Sequence, residues 1–533
     1  MTAAVLAASG SRAGSNPWVV AAIVVVPTFM EVLDTTIAIV ALRYIVGGLS
    51  ATVDDGEWVI TSYLAANAII LPITGWLSAH LGRRNYFLLS IAVFTLSSAL
   101  CGMATSLGQL ILFRALQGLA GGGLQPSSQS VLLDAFPPEK QGMAMTLFGL
   151  AALIAPVVGP TLGGWITDDY SWRWVFFLNV PVGLLAFAAC YAQLRDPAYL
   201  IDERRELRKR PFHFDSIGLS LLVITVVCWE VMLSKGQEWD WLGDPFWRVQ
   251  TLAVLFGAGL IGLVSWELRH PNPVVNFRPL RERNFAACCI IIFCAFAVLY
   301  AVSASLPGLL ETLFGYDALS AGLIMSPAGF FSVLAMPVVG RLLGRGMDAR
   351  WLIAAGLLLM AAGNYWMSQM NLDISPGQAV WPRVVLVVGL SICFAPANVA
   401  AYLYTPVALR GAAVGLLSLL RNEGGSVGVS LAQTVRERRD QFHLLRLGEY
   451  LDSFNAAVHS FIAQVQGVFA TGDPALSQQL AWQALDNLRQ QQASALSFFD
   501  VFWMTAVVML ALVPVVLIMK RSVAEKGARI GGH

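Results

Sequence analysis

Charge is scarce in this chain. Only 13% of its 533 residues are Asp, Glu, Lys or Arg, against 57% hydrophobic, and the formal net charge is +1. A soluble domain carries about 25% charged residues. So little charge cannot clothe a water-facing surface, and with no basic stripe it argues against a nucleic-acid partner. Histidine is also sparse. The six residues His80, His213, His270, His443, His459 and His533 are scattered outside the long apolar runs. No His or Ser/His/Asp cluster of the kind a membrane acyltransferase would need is in view. No Gly-x-x-x-x-Gly-Lys-[Ser/Thr] loop occurs, so ATP hydrolysis is not indicated. The seven cysteines are odd in number, form no C-x-x-C, and all lie inside apolar runs. They read as small buried hydrophobes rather than a disulfide framework or zinc site. The sequence therefore reads as no enzyme, with neither cofactor nor metal.

What is present is a succession of apolar runs of about 20 residues, the length that crosses a bilayer. Fourteen can be marked, from 18–42 to 498–519, including 109–133, 143–166 and 412–433. An even number puts both termini on one side. Lys and Arg concentrate in the loops on the N-terminal side, above all in "DERRELRKR" at 202–210, which makes that side cytoplasmic. Residues 1–17 read as a cytoplasmic tail without a signal peptide, and 520–533 as a second tail. One outer stretch, 434–497, is unlike the short loops elsewhere.

Charge inside a span is costly and points to function. Glu31 and Asp34 share a helix face in "FMEVLDTTIAIVAL". Arg114 lies in "FRALQGLAGGG", and Arg421, Asn422 and Glu423 in "LLRNEGGSVG". A purely structural polar network is the alternative for Asp34 and Arg114. Glu230 and Arg383 lie close enough to the outer interface to snorkel. The run 149–166 carries Pro156, Gly159, Pro160, Gly163 and Gly164. These break or weaken a helix, which is tolerated at membrane depth only where protein or a watery cavity covers it. Together with "GLAGGG" at 118–123 they allow close helix approach. The expectation is a kinked helix at a moving interface, a static tight crossing being the alternative.

Several motifs, in order, resemble a known family. Leu33, Asp34, Thr35, Thr36, Val40, Ala41 and Leu42 match a Leu-Asp-x-Thr…Val-Ala-Leu motif. Gly75, Leu77, Gly82, Arg83 and Arg84 match a cytoplasmic loop motif. Arg114, Gln117 and Gly118 match Arg-x-x-Gln-Gly, and Gly159, Pro160, Gly163 and Gly164 match an antiporter motif. "SWRWVFFLNVPVG", "NPVVNF" and "GYDALSAGLIMSPAG" continue the match. The chain resembles the fourteen-span drug:proton antiporters of the major facilitator superfamily, the EmrB/QacA subfamily. It departs from them at Ala79, often acidic in that loop, and at Arg43, where Pro is usual.

The resemblance implies an all-α integral membrane protein with 14 transmembrane helices arranged 6 + 2 + 6. The six-helix bundles would be 18–195 and 285–519, joined by two extra helices at 214–268. Rocking of the bundles would alternate access to a midplane site. The resemblance also implies a proton-coupled exporter of amphiphilic toxic compounds in a bacterial inner membrane, both termini cytoplasmic. Efflux of fatty acids or one dedicated metabolite, or proton-coupled uptake, are the alternatives. A carboxylate in a dry cavity can take and release a proton, so Asp34, helped by Glu31 and tuned by Arg114, is the expected coupling group. Gln117, Arg421, Asn422 and Glu423 are candidate polar residues of the cavity. Gly75, Gly82, Arg83 and Arg84 form the expected gating loop.

The 434–497 insertion reads as a helical hairpin. From Leu444 to Val468 the apolar spacing alternates 3 and 4, a coiled-coil seam. It predicts a straight helix over about 434–470, projecting roughly 55 Å, with Asp473-Pro474 opening a return helix over 474–497. Relatives of this type work with a periplasmic membrane-fusion adaptor and an outer-membrane channel, and the hairpin is the expected adaptor contact. The alternative is that its two helices bury the seam against each other.

Overall fold

The computed structural model describes residues 16–523 except 137, 197–199, 202–203, 206–214, 272, 407–408, 453 and 469–472. The segment 1–15, most of the 202–210 run and the tail from 524 thus lie outside the described residues. Among the described residues all regular structure is helical. The N-terminal set is α1 (Pro17–Gly48), α2 (Val53–Leu81), α3 (Arg83–Met103), α4 (Leu107–Gly121), α5 (Leu124–Ala135), α6 (Pro138–Asp169), α7 (Arg173–Phe177) and α8 (Asn179–Gln193). A pair follows, α9 (Ser216–Lys235) and α10 (Arg248–Glu267). The C-terminal set is α11 (Arg283–Leu313), α12 (Ala318–Met325), α13 (Pro327–Gly344), α14 (Ala349–Ser368), α15 (Pro376–Leu403), α16 (Arg410–Gly448), α17 (Ala456–Val468) and α18 (Pro474–Ile518).

Eleven of the described helices are long and apolar enough to cross a membrane, and twelve when the two arms of α6 count as one span. Two expected runs fall outside that set. The run 109–133 is divided between α4 and α5 at Gly122–Gly123. The run 412–433 is the opening half of α16, whose apolar character is diluted by Arg421, Asn422 and Glu423. Helix starts follow capping chemistry. Thr52 accepts from the Asp55 amide at 3.1 Å and Asp215 from Gly218 at 2.8 Å. Asp473 accepts from Ala475 at 2.9 Å, with Pro474 in the first turn, as its sequence predicts.

The core runs through both sets. Phe148 from α6 stacks on Phe394 from α15 with centroids 6.4 Å apart, and Phe296 from α11 meets Phe394 at 5.5 Å. Helix α6 packs on α1 on one side and on α12, α13 and α15 on the other. It is the principal seam element between the sets. The α9–α10 pair packs against α2 and α16, burying Leu222, Val226 and Leu263 with Ala68 and Ile73.

The 434–497 region departs from the straight rod. Helix α16 ends at Gly448, and the chain turns before α17 resumes. Glycine is a poor helix former, and Gly448 is the last residue of this helix. Val458 and Ile462 of α17 are buried against Ala481 and Leu485 of α18, so this part of the seam closes on itself. Phe454 and Val468, also seam positions, are exposed.

Candidate functional site

Asp34 sits on α1 with no exposure, and a carboxylate there needs donors. It has four. Arg114 Nη1 on α4 donates at 2.5 Å, Gln117 Nε2 at 3.0 Å and Asn179 Nδ2 at 2.6 Å, and Arg114 makes the ion pair. Arg114 also donates to Gln117 Oε1 at 2.8 Å and to the Val59 carbonyl at 3.3 Å. Its guanidinium lies 4.2 Å above the Tyr63 ring. Arg114 and Gln117 reach Asp34 together because they are one turn apart on α4. Asn179 was not singled out from the sequence, although it lies in the quoted "SWRWVFFLNVPVG". Its second partner, Ser98, at 3.0 Å, is 81 residues away and carries no local signal.

Glu31 belongs to a different network. Tyr63 donates to its Oε1 at 3.3 Å and Asn67 at 3.1 Å, while Gln125 donates to Oε2. This network crosses to the C-terminal set. Arg421 of α16 donates to Gln125 Oε1, and Asn422 donates to Asn67 Oδ1 at 3.0 Å. Gln129 adds a further crossing to Asn398 at 2.8 Å. The Arg421 guanidinium lies over the rings of Phe148 and Phe296 at 5.5 and 5.7 Å. Tyr63 joins the two networks, its hydroxyl on Glu31 and its ring under Arg114. Glu31 and Asp34 share a helix face but serve separate partners.

The glycine motif lies against this acid. A Cβ on Gly159 would collide with Thr36 Oγ1 and stand 2.7 Å from Thr36 Cβ. One on Gly163 would stand 3.2 Å from Ile37 Cγ2. Thr36 and Ile37 are the second and third residues after Asp34, so α6 rests backbone-close on the α1 turn beyond the acid. Gly164 is buried, and its carbonyl accepts from Thr167 at 3.1 Å. The helix bends by 43° between Met143–Pro156 and Thr161–Asp169, around Gly159 and Pro160. On its far side, Thr161 meets Gly322 of α12 closely.

The loop motif is tied down within its own set. Gly82 adopts φ +89°, a left-handed conformation that glycine enters freely. Arg83 pairs with Asp134, while Asp196 accepts from the Arg84 amide at 2.8 Å. Arg84 also donates to the Tyr191 carbonyl at 2.9 Å. Gly75 abuts Gly411, and a Cβ on Gly415 would stand 2.7 Å from the Leu71 carbonyl. The sets therefore meet at both ends, at α2–α16 here and at α6–α12 opposite. Arg43 lies near Glu311 across that second end.

Two side chains expected to snorkel do not. Glu230 is 3% exposed and Arg383 is fully buried, because both face neighbouring helices rather than the surface. Glu230 accepts from Ser426 at 3.2 Å and faces Glu423. Glu423 thus turns toward α9, away from its neighbours Arg421 and Asn422, as 100° per residue on one helix dictates. It is not part of the Glu31 network.

The model of the Major Facilitator Superfamily matches residues 24–429. The chain is 34% identical to "Multidrug export protein EmrB" of Escherichia coli strain K12, covering 95% of this chain and 96% of that protein. It is 37% identical to the protein of the same name from Haemophilus influenzae, covering 92% and 94%. It is 33% identical to "Fatty acid resistance protein FarB" of Neisseria gonorrhoeae, covering 95% and 96%. Among solved structures it is similar to the human organic anion transporter MFSD10, with TM-score 0.58 at 13% identity over 94% of this chain and 99% of that one. It is also similar to the proton:xylose symporter XylE, with TM-score 0.57 at 14% identity over 94% and 96%. At such identities these two speak for the fold alone.

Proposed function

Since this chain belongs to the Major Facilitator Superfamily, we propose that it is a proton-coupled exporter of amphiphilic compounds, with Asp34 as the proton carrier. The observation that carries this reading is the buried Asp34–Arg114 ion pair lying one helical turn from the α1–α6 seam. Protonation of Asp34 removes the charge that holds Arg114. The pair then relaxes, and the tight Gly159–Thr36 contact transmits the change to α6 and so to the other set. Glu31, through Gln125 and Arg421, reports across the seam. The aromatic wall of Phe148, Phe296 and Phe394 suits apolar, variable substrates.

In this reading the chain crosses a bacterial inner membrane fourteen times with both termini cytoplasmic, and the two sets are the rocking bundles. The relatives named for multidrug export support drugs as cargo. The similarity to FarB favours fatty acids as a second class. The 434–497 region would stand outside the membrane and meet a periplasmic adaptor, which in turn joins an outer-membrane channel. Exposed Leu445, Phe454 and Val468 give it an apolar contact surface.

The test is substrate-driven proton movement. In proteoliposomes holding an internal pH dye, adding a lipophilic cation to the wild-type protein should move protons, and the Asp34→Asn protein should move none. Equal signals from both would remove Asp34 from the mechanism, and no signal from either would remove proton coupling.

A further inference from the structure

The C-terminal set contains an arginine placed like Arg114 but without an acid. Arg114 is the eighth residue of α4, and Arg383 is the eighth residue of α15. Arg114 reaches Asp34 at a separation of 80 residues, and Arg383 Nη2 reaches Ser303 Oγ, 2.7 Å away, at the same separation of 80. The two halves of such a fold are repeats, so Ser303 stands where the N-terminal half has its carboxylate. Arg383 is fully buried, yet its Nε and Nη1 have no hydrogen-bond partner. Among the described residues it has neither an ion pair nor an aromatic ring over its guanidinium. A guanidinium offers five N–H donors, and Ser303 takes one of them.

A buried cation without a counter-charge is costly. A planar anion accepting two N–H groups relieves that cost best. The geometry points to Arg383 and Ser303 as a binding point for the carboxylate headgroup of an amphiphile. Ser303 is half-buried and its neighbour Ala304 is exposed, so the site has an open edge on α11. The apolar tail would lie along that edge while the headgroup replaces the missing acid. In this arrangement the N-terminal half keeps its own carboxylate for protons, and the C-terminal half takes the carboxylate of its cargo. The inference rests on the exporter reading and deepens it by assigning two residues to the carboxylate of its cargo. Its test needs neither a gradient nor transport, so it can fail while that reading stands.

The test is thermal unfolding of the purified full chain in detergent with decanoate, decanol or acetate. Decanoate should stabilise the wild-type protein more than decanol does. Acetate distinguishes the source of the carboxylate: stabilisation by acetate as well means the site accepts a free carboxylate, and none means the tail is required. Arg383→Gln should weaken decanoate binding on the order of tenfold, about 1.4 kcal/mol, and leave decanol unaffected. Ser303→Asp supplies an internal acid, so it should raise the melting temperature without ligand and abolish the decanoate-over-decanol difference. That second variant keeps the test valid if Arg383→Gln does not fold. If decanoate and decanol act alike on the wild type, or their difference survives in Ser303→Asp, the proposal is wrong and water alone completes the site.

Discussion

At the scale of single residues, the Asp34–Arg114 pair sets the strongest constraint. Each charge is buried and each depends on the other. Arg114→Ala would leave the Asp34 carboxylate with only neutral donors, Gln117 and Asn179. The expected cost is about 3–5 kcal/mol, read as a large fall in melting temperature in detergent. Asp34→Asn is gentler, because Arg114 keeps Gln117, the Val59 carbonyl and the Tyr63 ring. A larger loss from Asp34→Asn than from Arg114→Ala would contradict this ordering. The sequence made Asp34, Arg114 and Gln117 legible, since a charge in a span is conspicuous. It could not show Asn179 or Tyr63, ordinary residues whose roles exist only once α2, α8 and α1 meet. Glu230 and Arg383 were misplaced for a related reason. Depth along a helix is readable from sequence, but the neighbour it faces is not.

At the scale of elements, α6 decides how the two sets touch. Gly159→Leu forces a side chain into Thr36 and should stop transport while the protein still inserts, measured by substrate efflux from cells with matched expression. Gly163→Ala is milder, its Cβ 3.2 Å from Ile37 Cγ2 and 3.4 Å from Ile37 Cα, and should retain most activity. Full activity in Gly159→Leu would mean that the α1–α6 contact does not carry the change to the seam between the sets. A second element-scale expectation concerns the start of α10. Arg248 beside Asp244, with the amides of Phe246, Arg248 and Val249, holds the Asp244 carboxyl below the usual carboxylate range. A depressed folded-state value stabilises above the unfolded value and is lost as pH falls. Asp244→Asn should therefore lower the melting temperature at neutral pH and make no difference in strong acid, where both proteins are uncharged there. The proline and glycine pattern of α6 foretold its bend. The 3–4 spacing foretold the packing of α17, but Gly448, a single residue in a long apolar pattern, gave no clear warning that α16 would stop.

At the scale of the whole molecule, the sets touch at both ends, Gly75 on Gly411 at one and Thr161 on Gly322 at the other, with the Glu31–Gln125–Arg421 crossing between them. Such an arrangement encloses the midplane, and alternate opening must break one end at a time. The outer region has a separate task in this account. Replacing 440–492 with a short Gly-Ser linker retains Arg439 and Asp500, whose ion pair joins α16 to α18. That protein should transport normally in liposomes but give cells no resistance, and surviving resistance would show that the region docks nothing. The central claim is that Asp34 couples protons to transport rather than merely holding the fold. It is tested most directly by comparing two fluxes of Asp34→Asn in the same proteoliposomes. Substrate exchange at equal pH on both sides should persist, while accumulation driven by a pH gradient should vanish. Gradient-driven accumulation at the wild-type level would contradict the account.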